Sequence, residues 1–297
     1  VLASYAALVY AMPVLGGLLA DRYLGMRKAV SFGAMLLVAG HLGMAYEGHQ
    51  AYIADNAVVR DEQALDVFYL SLALIVVGVG FLKPNISTIV GKLYPDDDPR
   101  RDSGFTIFYM SINIGSTIGY GICGYLGEKI GWHWGFGAAG IGMLFGVYQY
   151  VRYQGLLGDA GALPNPMSDE ARGRLVRYTQ IALTLMIVAI ALSLMGFVDI
   201  NPRIFAENFA YFLTVVAGLY FIFLYFFAGL DAAERKNITL LFLLFIAAAA
   251  FWSGFDQSGG SLNIFARDYT DLVVSGFEVP VSWIQFVNPI FVVIFAP

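Results

Sequence analysis

Apolar stretches close to the 20 residues needed to cross a bilayer alternate along this sequence with short polar segments. Nine of them predict membrane-spanning helices: 1–20, 29–46, 65–90, 105–126, 134–153, 176–198, 208–230, 238–266 and a truncated one from 281 onward. The segment 154–174 interrupts the pattern with Gly158, Gly161, Pro164 and Pro166 and reads as a linker. Three regions follow. Residues 1–153 make a first bundle, 154–236 the linker and a two-helix hairpin, and 237–297 the start of a second bundle. Asp231 to Asn237 is read as a short charged link into the eighth span. Both ends of the sequence lie inside apolar segments, so the expected architecture, an all-α membrane protein, is expected to be incomplete at both ends.

Composition agrees. The chain is 59% hydrophobic and 13% charged, about half the charged share of a soluble domain. Charge placement says more than the formal sum of −5. Arg22, Arg27, Lys28, Lys92, Arg100, Arg101, Arg152, Arg172, Arg174, Arg177, Arg235 and Lys236 fall in loops on one side; Arg60, Lys129, Arg203 and Arg267 fall on the other. The excess makes the first side, with loop 21–28, cytoplasmic. The acidic run 96–98 beside Arg100 and Arg101 is a solvated loop on that side. The single Cys123 reads as packing.

Lys83 is the one basic residue left inside a span. A lysine at mid-helix costs about 2.5–3.5 kcal/mol, and Pro84 beside it leaves the Gly80 carbonyl without its helical donor. Such a stretch belongs against protein or a polar pathway. Eight residues separate Lys83 from Gly91, which puts it in the inner half of the membrane. Tyr109 and Asn113 share a helix face that Ser116 extends; interhelical bonding and a cavity lining both account for it. Trp252 and Asp256 are also four apart. Asp256 is the acid well inside a span, ten residues before Ala266, and reads either as a structural ion pair or as a proton-coupled gate. Gly259 and Gly260 would loosen the helix beyond it. Tyr10 near Pro13 and Asn288 before Pro289 each allow packing or function. His41 reads as a hydrogen-bonded packing residue. No phosphate loop, nucleophile elbow or metal-ligand spacing appears, so an ion gradient is the expected energy source.

The loop Gly16-Gly17-Leu18-Leu19-Ala20-Asp21-Arg22-Tyr23-Leu24-Gly25-Met26-Arg27-Lys28 resembles the cytoplasmic signature loop of the major facilitator superfamily. Lys83-Pro84-Asn85, Phe108-Tyr109-Met110-Ser111-Ile112-Asn113-Ile114-Gly115-Ser116 and Phe251-Trp252-Ser253-Gly254-Phe255-Asp256-Gln257-Ser258 narrow the resemblance to the proton-dependent oligopeptide transporter family. It implies a chain running from family helix two to helix eight, with the bacterial hairpin inserted. It further implies a symporter of the cell inner membrane importing di- and tripeptides with protons by alternating access. Relatives that carry nitrate or other small solutes, and a non-transporting peptide sensor, are the alternatives. The implied substrate-site residues are Tyr10, Lys83, Tyr109, Asn113, Trp252 and Asn288. Asp256 and Lys83 would couple protons, and Asp21, Arg22 and Arg27 would latch helix ends. Where the family often has Glu at the gate, this chain has Asp256. A peptide is a zwitterion, so Lys83 suits its carboxylate and Asn113 and Asn288 its amino group. The implied partners are peptide, protons and the lipid bilayer; no cofactor, metal or nucleic acid is implied, and a monomer is favoured.

Overall fold

The computed structural model describes residues 2–54, 57–162 and 202–296, with isolated positions between 168 and 188. Helix α1 (Leu2–Leu19) runs into a π-helical turn, Ala20–Leu24. Gly25, at φ 75°, closes the turn in a conformation that costs glycine little. Helix α2 (Met26–Met44) buries Met26, Ala29, Val30, Gly33, Ala34, Leu37, Val38 and Gly40. Their three- and four-residue spacing makes one continuous stripe, and that stripe lies on α3 (Glu62–Lys92).

Helix α3 is the centre of the first half, with α2 on one side and α1 on another. Glycines set the distances. A Cβ on Gly33 would stand 2.6 Å from the Gly78 carbonyl oxygen, and one on Gly80 2.7 Å from the Met12 Cβ. A Cβ on Gly16 would collide with the Gly80 carbonyl. Small residues at such crossings let backbones approach where lipid supplies no hydrophobic drive. Asp61 caps α3, accepting the backbone N–H of His49 at 2.9 Å and of Ala64 at 3.1 Å. Those donors hold its carboxyl well below the ordinary 3.8, at about 2.

Helices α4 (Arg100–Lys129) and α5 (Trp132–Tyr153) pair and complete this half. Helix α6 (Pro202–Phe227) touches α1 and α7 (Ala232–Phe255). The chain ends in α8 (Ser261–Tyr269), a 3-10 turn at Val281–Phe286 and α9 (Val287–Phe295). Among the described residues, four segments are long and apolar enough to cross a membrane: Tyr5–Leu24, Glu62–Lys92, Ala210–Phe227 and Ala232–Gly259. The sixth expected span, 176–198, lies outside the described residues apart from isolated positions, as do Pro164 and Pro166.

Three expectations need correction. The eighth span does not run on to Ala266: α7 stops at Phe255, a 3-10 turn covers Asp256–Gly259, and α8 starts after Gly260. Gly259 and Gly260, the weakest helix formers there, break the helix outright, so counting helical rise from Asp256 to Ala266 does not give its depth. The link expected at Asp231 to Asn237 is already helix. Asp231 and Glu234 form a reciprocal capping box, with bonds of 2.8 and 2.9 Å, which starts α7 at Ala232. Two short antiparallel hairpins also occupy segments read as plain loop, β1 (Tyr52–Ala54) with β2 (Ala57–Val59) and β3 (Val273–Val274) with β4 (Phe277–Glu278).

The glycine contact carries a prediction. Gly33→Val forces α2 and α3 apart and is expected to destabilise the protein by about 1–3 kcal/mol. A thermal-unfolding scan in detergent reads this directly, and an unchanged midpoint would remove the close crossing from the fold.

Candidate functional site

The contact of Gly16 and Met12 with Gly80, and of Gly17 with Pro84, sets α1 and α3 parallel and in register. Side chains lean toward the N-terminus of their helix, so Lys83 reaches back along α3 toward the start of α1. There it meets Tyr10. The Lys83 Nζ lies 5.0 Å from the centroid of the Tyr10 ring, within range of a cation–π contact worth about 0.5–2 kcal/mol. Lys83 is otherwise exposed and forms no ion pair among the described residues.

Pro84 lies inside α3 without ending it. Side chains of the next turn supply hydrogen bonds. The Asn85 amide, buried to 2% exposure, donates to the Phe81 carbonyl at 2.7 Å. Thr88 Oγ1 donates to the Pro84 carbonyl at 2.8 Å. Asn85 therefore braces the helix rather than facing a ligand.

A cavity of about 510 Å³ lies between α4 and the second half of the chain. Asn113 and Asn288 both line it, with Ser116, Tyr120, Ser258 and Gln285. The Asn113 Nδ2 donates to the Tyr109 carbonyl at 2.8 Å, leaving its Oδ1 to accept a hydrogen bond. Asn113, Ser116 and Tyr120 are one stripe on α4; the stripe read from Tyr109 through Ser116 runs one turn further than expected. Tyr109, 54% exposed, is not among the residues of this cavity, and neither is Lys83.

Asp256 opens the 3-10 turn where α7 ends and lies within electrostatic reach of Tyr10. It forms no ion pair among the described residues. Trp252, one turn earlier, stacks edge-on with Phe251 at 5.6 Å and Phe255 at 5.2 Å. At the helix break the Gly260 N–H donates to the Gln257 carbonyl at 3.1 Å. Gln257 accepts from Ser261 Oγ at 2.7 Å, and Gln285 Nε2 donates to the Ser258 carbonyl.

Of the three residues expected to form a latch, Asp21 and Arg22 are exposed and form no ion pair among the described residues. Arg27 does latch, but to backbone. Its Nε donates to the Ala160 carbonyl at 2.7 Å and its Nη2 to that of Gly158. Its own N–H donates to the Gly161 carbonyl at 3.1 Å. Gly161, at φ 75°, turns the segment under α2 and against Ile89. Met26, Val30 and Ile89 form the buried cluster beneath, with Tyr150, Leu157 and Ala160 packed on it. His41 behaves as expected of a packing residue: its Nδ1 bonds the Leu37 carbonyl at 2.8 Å. Gln285, which the sequence reading passed over, carries no motif; Ser258 lies within the quoted stretch 251–258 but is given no role there.

The model of the POT family matches residues 27–297. The peptide transporter YePEPT of Yersinia enterocolitica subsp. palearctica is 38% identical over 301 residues, which cover 99% of this chain and 56% of the relative. A di-/tripeptide transporter of Lactococcus lactis subsp. cremoris is 32% identical over 309 residues, covering 100% of this chain and 58% of the relative. Among solved structures, a peptide transporter POT in complex with sulfate superposes with a TM-score of 0.84 at 33% identity, over 99% of this chain and 57% of that one. A variant bound to alafosfalin gives 0.83 at 33% identity, over 99% and 56%. The chain thus spans somewhat more than half the length of the curated relatives it matches.

Replacing Arg27 by Lys trades a two-pronged donor for a point charge. Loss of one charge-assisted bond, about 1.5 kcal/mol, is expected to speed hydrogen exchange at the Ala160 and Ala162 amides about tenfold. Exchange at the unsubstituted rate would show that Arg27 does not hold this segment.

Proposed function

This chain belongs to the POT family, and we propose that it is part of a proton-coupled symporter that imports di- and tripeptides by alternating access. The nine expected spans, with loop 21–28 on the cytoplasmic side of the inner membrane, are part of this reading. So are a monomer and the absence of any cofactor beyond the proton gradient. The observation that supports it most is the placement of Lys83: an ammonium in a long apolar helix that, among the described residues, is held by the face of an aromatic ring. A ring face stabilises the charge and leaves its hydrogen-bond donors available. An incoming carboxylate would find all three.

The cavity supplies the other end of a zwitterion. Asn113 presents a free carboxamide oxygen, and Asn288 stands on the opposite wall. Neither reads a side chain, which fits a substrate class recognised by its termini. Relatives named for peptide and di-/tripeptide transport, and a neighbour solved with alafosfalin, support the same class. Tyr10 connects the two charges: it touches Lys83 and feels Asp256. Asp256 is therefore the proposed proton carrier, and its position in a helix break lets it move without unwinding a regular helix. Asp21 and Arg22 keep the role of a cytoplasmic latch closed in another state of the cycle.

Two variants of the full-length protein in liposomes test this. Lys83→Ala is expected to abolish gradient-driven uptake of a labelled dipeptide; normal uptake by an inserted, folded variant sinks the site. Asp256→Asn is expected to stop proton-driven accumulation while peptide counterflow continues, and unchanged coupling would take Asp256 out of the mechanism. Competition of uptake by nitrate rather than by unlabelled peptide would point to a different cargo.

A further inference from the structure

Far from Lys83, at the end of α4 that carries Lys129, the two halves of the chain meet in a small polar junction. Glu128 Oε2 accepts the Val281 N–H at 2.8 Å, and Oε1 accepts the Ser282 N–H at 2.8 Å. These amides begin the 3-10 turn Val281–Phe286 and have no helical acceptor of their own. The carboxylate therefore caps from another helix, 153 residues away in sequence. Around it, the Trp283 indole N–H donates to the Gly121 carbonyl at 3.0 Å. Lys129 Nζ pairs with Glu278 at 2.7 Å. Gly124 leaves room for Ser282: a Cβ there would lie 2.9 Å from the Ser282 Cβ.

The turn continues into α9, where Asn288 is the second residue. Its other side is tied by Gln285 to the helix break at Ser258. Whatever fixes the turn on α4 thus fixes Asn288 opposite Asn113. The charge-assisted bonds of Glu128 are the strongest ties the turn makes to α4.

We propose that the Glu128 carboxylate is the positioning latch at the extracytoplasmic mouth: closed, it sets Asn288 across the cavity, and the junction must part for substrate to enter from outside. The proposal rests on the transport reading above. It adds an acid outside the Lys83–Tyr10–Asp256 group and gives it a mechanical task. Lys129 and Glu278 form the outer rim of the same junction. Their pair is the more exposed, with Glu278 at 72%, and such pairs are worth little.

The test uses the full-length protein in liposomes. Cys123 lines the space beside Gly124 and Ser282 and needs no substitution. Glu128→Gln keeps the side-chain shape and removes the charge. It is expected to raise the rate of Cys123 modification by a membrane-impermeant maleimide added outside, several-fold or more, with the site identified by mass spectrometry. Glu128→Asp, which keeps both acceptor oxygens, should restore part of the protection. An unchanged rate in Glu128→Gln overturns the latch. In a second arm, Gly124→Cys and Ser282→Cys are combined with Cys123→Ser, since Cβ atoms this close can form a disulfide after a small adjustment. Oxidation is expected to block dipeptide uptake and reductant to restore it. Uptake by fully cross-linked protein overturns the proposal. Absence of uptake by the unsubstituted protein would instead defeat the transport reading, and the maleimide arm would still decide whether Glu128 holds the junction.

Discussion

A cation kept in an apolar helix must be stabilised by something close and fixed, and much of this structure follows from how that is done for Lys83. The stabilising group is a ring on another helix, so α1 and α3 must hold a constant height relative to each other. Gly16 and Gly80 remove the side chains that would separate α1 from α3, and α2 closes the other side through Gly33 and Gly78. Beside Pro84, Asn85 and Thr88 add side-chain bonds to the Phe81 and Pro84 carbonyls. Each of these features would be a weakness in a soluble helix. Together they make a rigid platform on which one charge is exposed.

The same logic distinguishes the two halves. The first half is held by backbone approach at its glycine crossings. At the Glu128 junction the second half is held to the first by directed bonds: a carboxylate on two amides, an indole on a carbonyl, an ammonium on a carboxylate. Directed bonds are lost over a short displacement or a modest change of angle. A junction built from them is suited to two discrete arrangements, which is what alternating access requires of the proposed transporter.

Local chemistry was legible in the sequence, and long-range pairing was not. The hydropathy pattern anticipated the four described segments long and apolar enough to cross a membrane, because that property is set by the run of side chains alone. The four-residue spacing of Tyr109 and Asn113 gave a helix face correctly because it depends only on helical geometry, and continuing that stripe by one turn would have found Tyr120. The break after Phe255 was signalled by Gly259 and Gly260 but read as a loose helix, since propensity alone does not distinguish a bend from an end. The Asp231–Glu234 box was a readable start signal, hidden by treating a charged run as loop. Glu128 had no local signature at all. Its partners are amides, which every residue but proline has, so only the folded chain could show which ones it takes.

The grip of Arg27 on the segment after α5 has an evolutionary consequence. The guanidinium reads carbonyl oxygens, and carbonyls are the same whatever side chains accompany them. Position 160 can therefore drift with little penalty so long as the backbone keeps its path, while Gly158 is held by its φ of 53° and position 27 has no equivalent substitute. Sequence variation across this contact should be lopsided, with the freedom confined to position 160. Covariation, the usual mark of a contact in an alignment, would then miss one of the firmest attachments in the first half of the chain.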